Sequence, residues 1–121
     1  MKTYQKRVGN AGEQIAAKHL SQIGYQLLDQ NYSTRYGEID LIALDGDVIV
    51  FVEVKTRTSD TFGTPEESIT AIKIEKIQNT ALIWLRDHPE SPEDWRIDVI
   101  AVLVDQNNRL LDLQHFIDAN L

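Results

Sequence analysis

A chain of 121 residues with 42% hydrophobic and 26% charged residues reads as one domain, residues 1–121, able to bury a core without staples. The absence of cysteine excludes disulfides and thiolate metal sites, no apolar run reaches membrane-spanning length, and Met1-Lys2-Thr3 opens no signal core, so a cytoplasmic location away from membranes is expected. A net charge of −7 argues against tight nonspecific binding to duplex, although the first sixty residues carry seven Lys/Arg against eight Asp/Glu and are nearly balanced.

Residues 9–23 read as the first helix, with Asn10 as its N-cap and Gly24 as its stop. Ala16, Ala17, Leu20 and Ile23 form its inward stripe, and Glu13 joins that stripe near the helix start. Two readings stand for Glu13. It is either a first-turn acid favoured by the helix dipole, or a ligand pointed at an acidic surface further along the chain. Tyr25 to Tyr32 reads as a first strand, weakened by Asp29-Gln30-Asn31. Arg35 and Tyr36 then form a turn that either is simply solvated or holds phosphate and stacks on a base.

Gly37 to Arg57, GEIDLIALDGDVIVFVEVKTR, reads as two strands joined by Asp45-Gly46, a strong signal for a tight hairpin. The second strand, Val48 to Thr56, is apolar on both parities, as expected of a central strand covered on both faces. Glu53 and Lys55 interrupt it with charge. With Asp45 and Gly46 as the loop pair, Leu44 faces Asp47, Asp40 faces Phe51, and Glu38 faces Glu53. Glu38, Asp40, Glu53 and Lys55 then share one sheet face, with Asp40 and Glu53 diagonal neighbours roughly 7–8 Å apart at the backbone.

Three acids and a lysine on an otherwise apolar face cost stability, because buried unpaired carboxylates are penalised and like charges repel. A divalent cation removes both objections. Mg²⁺ suits the set, since it takes one or two carboxylates and completes its octahedron with water and phosphate oxygens. The bland alternative is an internal Glu53–Lys55 ion pair.

Beyond Arg57, Thr58 to Glu66 reads as a polar loop beside this surface. The second helix has two candidate caps, Thr64 and Thr70, and runs to about Arg86 with Ile74, Ile77, Ala81, Trp84 and Leu85 as its core face; Lys73 and Lys76 are read as facing elsewhere. Trp95 to Val104 is a second central strand containing Asp98, read as a structural ion-pair partner. Asp105 to Asn108 is a turn, Arg109 to His115 an edge strand, and the tail a helical turn. His19, His88 and His115 show no zinc spacing. The predicted fold class is α/β in the order α-β-β-β-α-β-β, with a meander of three strands, a parallel crossover, and helices on the faces of a mixed sheet.

That order, with Asp40, a twelve-residue gap and then Glu53-Val54-Lys55, resembles the PD-(D/E)xK nuclease superfamily and its restriction-endonuclease-like core. Glu13 in the first helix is similar to its archaeal Holliday-junction-resolvase branch. NAGEQIAAKHL, GYQLLDQNY, RYGEIDLIA, VFVEVKTR, FGTPEE and WRIDVIAV together resemble the bacterial YraN-like family of predicted endonucleases over nearly the whole chain. Ile39 stands where the superfamily has the proline of its PD pair, a departure that removes no ligand.

The resemblance implies an endonuclease that hydrolyses DNA phosphodiesters, DNA being favoured over RNA, with branched or recombination and repair intermediates among its substrates. It implies that Asp40, Glu53 and the Val54 carbonyl bind Mg²⁺ or Mn²⁺, that Glu13 completes the site directly or through water, and that Lys55 acts on the attacking water and the transition state. Glu38 becomes an outer-shell group, and Arg35 and Arg57 become phosphate contacts. Two rivals remain open: a nucleic-acid-binding or scaffold protein on the same fold with little catalysis, and a protein-interaction domain using the acidic C-terminal half. A homodimer is also left open.

Overall fold

Gly46, at a φ of +58°, turns the chain between β2 (Gly37–Asp45) and β3 (Val48–Thr58), and the register beyond the turn organises the sheet. The computed structural model describes residues 4–59 and 70–119. Within them the order is α1 (Tyr4–Gln22), β1 (Gln26–Thr34), β2, β3, α2 (Ala71–Asp87), β4 (Asp94–Val104) and β5 (Leu110–Phe116). The five strands lie in the order β1-β2-β3-β4-β5, antiparallel except for the parallel β3–β4 pair. The chain is therefore α/β with a mixed sheet between helices, as its sequence predicts.

Each sheet face has its own core. On one side Ala16 and Leu20 of α1 cover Leu41, Ala43, Val50, Val52, Val54, Ile100 and Val102. On the other, Ile77, Ala81 and Trp84 of α2 cover Ile42, Ile49, Phe51 and Ile97, with Phe51 edge-on to Trp84 and Trp95 at centroid distances of 5.8 and 5.7 Å. β3 is central because it contributes to both cores, which is why it reads as apolar on both parities.

Several boundaries differ from the sequence reading. α1 begins at Tyr4 rather than residue 9, so Asn10 lies inside the helix and caps nothing, and Ile23 is exposed beyond its end. Gly24, at φ +93°, does stop it. The hairpin loop pair is Gly46-Asp47, with Asp45 facing Val48 and Leu41 facing Val52. Only Gly46 of the two has positive φ, the pattern of a II′ turn, whereas the sequence reading placed Asp45-Gly46 as the loop pair. α2 is capped by Thr70, whose hydroxyl accepts the Lys73 N–H at 3.2 Å. The rival cap at Thr64 and the loop after Ser59 lie outside the described residues. The tail makes no helical turn over residues 117–119: Ala119 N–H donates to the Ile97 carbonyl at 2.7 Å.

Candidate active site

The register moves two residues from the expected one, and a two-residue move keeps every side chain on its face. Continued one step past Leu41–Val52, it sets Asp40 opposite Glu53 rather than diagonal to it. Asp40 Oδ2 accepts the Val54 N–H at 2.7 Å, a side-chain oxygen standing where a strand carbonyl would. Ile39 and Ile42 both join the α2-side core, so the strand's alternation breaks across Asp40. The Glu53 carboxyl lies close enough to Asp40 for its charge to act on it. Burial first, and then the Glu53 carboxylate, push the Asp40 pKa up to about 7, against the Val54 N–H, which works the other way.

Asp40 and Glu53 face a cleft of about 270 Å³ between the sheet and α2, lined also by Gly37, Glu38, Lys73, Lys76 and Ile77. That is room for several waters, or for a hydrated ion with a phosphate oxygen. Lys55 Nζ lies 3.3 Å from Glu53 Oε1, and Lys73 Nζ lies 4.0 Å from the same oxygen. The neighbouring Lys55 ammonium, followed by burial, lowers the Lys73 pKa. Lys73 and Lys76 thus face the cleft, contrary to the expectation from sequence. The signal was present: Lys73 stands four residues before Ile77 and seven before Thr80, both buried, so it extends their stripe.

Glu13 arrives from α1, across the other face of the sheet, and does not line the cleft. Its pKa is raised by burial first and then by Glu38 and Glu53, so it shares their field. What brings it so near is Gly12, where a Cβ would stand 1.8 Å from Thr56 Oγ1. Only a glycine lets α1 lie this close to β3.

Glu38 lines the cleft and accepts a hydrogen bond from Ser33 Oγ at 3.3 Å. Arg57 lies two residues beyond Lys55, opposite Leu103, and is not among the lining residues. Arg35 and Tyr36 sit at the exposed β1–β2 turn, just before Gly37 of the lining. Val54 contributes a buried side chain to the α1-side core. Among the described residues no three His, Asp or Glu side chains form a cluster able to hold a metal ion as they stand. Glu53 is turned to the lysines and Asp40 to Val54. The donor set is nonetheless chemically suited to a hard cation: two carboxyls close together, in the field of two more, at an open cleft.

A second polar cluster escaped the sequence reading except for Asp98. That carboxylate is fully buried, with Arg96 Nε donating to Oδ1 at 2.9 Å, the Asp118 N–H to Oδ1 at 3.0 Å, and His115 Nε2 lying 2.8 Å from Oδ2. Burial alone would raise its pKa, but the bonds from His115, Arg96 and Asp118 hold it below the usual carboxylate range. The expected ion-pair role of Asp98 is what is found. Unexpected is His19, whose Nε2 lies 3.1 Å from His115 Nδ1. Arg96 extends the network to Tyr25 Oη at 2.7 Å and to Asp45 Oδ2 at 3.1 Å.

No described helix is long and apolar enough to cross a membrane. The model of the Uncharacterised protein family UPF0102 matches residues 12–102, from the glycine that seats α1 to near the end of β4. A UPF0102 protein of Syntrophomonas wolfei is 40% identical over 94% of this chain and 97% of its own length, and one of Pelotomaculum thermopropionicum is 41% identical over 95% and 96%. A third, from Symbiobacterium thermophilum, is 46% identical over 87% and 89%. The chain belongs to the UPF0102 family, the YraN-like family that its motifs resemble.

Proposed function

We propose that the protein is a metal-dependent nuclease that hydrolyses DNA phosphodiesters in the cleft between β2, β3 and α2. The observation that carries this reading is the Asp40–Glu53 pair. Two carboxyls from adjacent strands face one open cleft, and Asp40 is driven to a pKa of about 7 by burial first and then by the Glu53 charge. A fold gains nothing from such a pair unless something binds it.

Asp40 and Glu53 would hold Mg²⁺ or Mn²⁺ with the Val54 carbonyl, and Glu13 would act on its water shell. When bound, the ion supplies a lowered water pKa and a polarised phosphodiester. The chain's own residues do the rest. Lys55 and Lys73 both rest on Glu53 Oε1; released from it, they present two cations to the phosphate and to the attacking water. Lys76 adds positive charge on the same wall, and Glu38 holds the outer rim.

One observation favours the alternative, a nucleic-acid-binding protein on the same fold without catalysis. The lysines already neutralise Glu53, and the acids make no ready three-ligand cluster. Cleavage of labelled duplex, flapped, branched and single-stranded DNA with Mn²⁺ or Mg²⁺ separates the two. The nuclease reading expects cleavage that is lost in Asp40→Ala and Glu53→Ala. Binding without cleavage by the parent in either metal favours the alternative.

A further inference from the structure

At the tip of the β1–β2 hairpin, the Arg35 guanidinium lies over the Tyr36 ring. The guanidinium carbon lies 4.9 Å from the ring centroid, and Arg35 Nη2 donates to Tyr36 Oη at 2.8 Å. Tyr36 is 42% exposed, so the aromatic plane belongs to no core. Its backbone is held firmly: the Tyr36 N–H donates to Thr34 Oγ1 at 3.1 Å. Gly37, next in the chain, adopts φ +154° and packs against α2, where a Cβ would come 3.5 Å from Thr80 Oγ1 and 3.6 Å from Lys76 Cβ. Gly37 and Glu38 line the cleft, so the stack stands at its rim. Asp40 lies four residue steps from Tyr36 along the chain, roughly 13 Å, the span of a few nucleotides.

Charge decides what such a rim can hold. With a net charge of −7, the protein cannot draw much affinity from phosphate neutralisation, and the lysines on the cleft wall stand among acids. Stacking on an aromatic ring or a guanidinium plane is indifferent to net charge, but it requires a base that presents its face. A base inside continuous duplex has both faces covered.

Resting on the nuclease reading above, we infer that the Arg35–Tyr36 stack is a specificity element that takes an unpaired base near the scissile phosphate. The substrate class is then nucleic acid with a single-stranded segment at or beside the cleavage position, rather than continuous duplex. Lys73 and Lys76 hold the phosphate while the hairpin tip reads that the neighbouring base is free.

The test measures binding with Ca²⁺ in place of Mn²⁺, using a blunt duplex, the same duplex with a single-stranded flap, and the free strand, each with 2-aminopurine at the junction. The parent should bind flap and free strand at least roughly tenfold tighter than blunt duplex, with quenching of the unpaired 2-aminopurine. Tyr36→Ala should lose about tenfold on the unpaired substrates and leave duplex binding unchanged, whereas Tyr36→Phe, which keeps the ring, should retain both. Equal affinity for flap and blunt duplex, or an equal loss on both in Tyr36→Ala, overturns the inference. If the parent cleaves blunt duplex in Mn²⁺ as well as flap, the nuclease reading stands and this inference falls alone. If flap preference depends on Tyr36 but no metal supports cleavage, base recognition is upheld and the nuclease reading falls.

Discussion

His19 Nε2 and His115 Nδ1, 96 residues apart in the chain, meet at 3.1 Å, and the far nitrogen of His115 lies 2.8 Å from the buried Asp98 carboxylate. The carboxylate can only accept, so His115 Nε2 carries a proton. With both rings neutral, His115 Nδ1 must then accept from His19 Nε2–H. The relay holds one added proton but not two, because two imidazolium rings would face each other N–H to N–H.

A pH dependence follows. The His19 pKa is lowered by burial first and by His115 second, so the folded state favours the neutral ring. That contribution is complete above the ordinary histidine value of about 6.5 and is lost as pH falls below it toward the folded value. His19 is partly exposed, so screening limits the effect to roughly 0.5 kcal/mol. Melting curves between pH 7.5 and 5.5 should show the parent losing more stability on acidification than His19→Gln. Parallel curves would mean that the contact does not discriminate between protonation states.

Asp40 works in the opposite sense. Its folded pKa is raised, to about 7, so folding penalises the ionised form. The penalty is fully present above pH 7 and fades as pH falls toward the unfolded value near 4. Asp40→Asn keeps an oxygen for the Val54 N–H and removes the charge. Without metal it should be about 2 kcal/mol more stable than the parent at pH 8 and nearly equal to it at about pH 4. Equal melting temperatures at pH 8 would remove the case for a strained acidic pair.

Divalent metal should reverse that ranking. Mn²⁺ at about a hundred times its dissociation constant stabilises a binding native state by about 2.7 kcal/mol, and neither Asp40→Ala nor Glu53→Ala should respond. If the parent's melting temperature ignores millimolar Mn²⁺ and Mg²⁺, the cleft is not a metal site.

The two lysines on Glu53 Oε1 are expected to substitute for each other. If Lys55 alone neutralised Glu53, Lys55→Ala would strand a half-buried carboxylate at a cost of roughly 3–5 kcal/mol. With Lys73 Nζ already 4.0 Å from the same oxygen, Lys55→Ala should cost only about 1 kcal/mol, and Lys73→Ala less. Removing both should cost more than the sum, a coupling that a double-mutant cycle in urea reads directly. Additive effects would place the lysines in separate roles.

Gly12→Ala tests the seating of α1. In a free helix the change is favourable by up to about 1 kcal/mol. Here the new Cβ would fall 1.8 Å from Thr56 Oγ1 and 2.8 Å from Thr56 Cβ. The expected sign is therefore reversed: a loss of roughly 2–3 kcal/mol, partly restored by adding Thr56→Ala. A stabilised Gly12→Ala would show that α1 stands further from β3.

The acidic face was legible because its evidence is local: a turn dipeptide, a strand apolar on both parities, and charges at alternating positions. A one-residue shift of the turn, which moves the pairing register by two, did not disturb it, since strand faces repeat every two residues. Lys73 was missed for a different reason. With the start of α2 unsettled between two threonines, the helical stripe was counted from Ile74, and Lys73 fell outside a face that Ile77 and Thr80 define. The His19–His115 contact had no local signature at all. No spacing rule links a residue on the first helix to one on the last strand; only the finished sheet order does.

That long reach bears on how the molecule assembles. Glu38, Asp40, Glu53, Lys73 and Ile77 lie within a contiguous stretch of forty-one residues, 37–77, whose strands pair with each other as a hairpin. The polar cluster around Asp98 instead joins α1 to β4, β5 and the residues after them, and cannot exist until nearly the whole chain is present. During synthesis the β2–β3 hairpin is therefore free to pair early, while the central β3–β4 contact and the knot of Asp98, His115 and His19 wait for the C-terminal strands to emerge. The charged centre of the molecule thus draws on one continuous stretch of chain, and the Asp98 cluster fastens the far ends of the chain together.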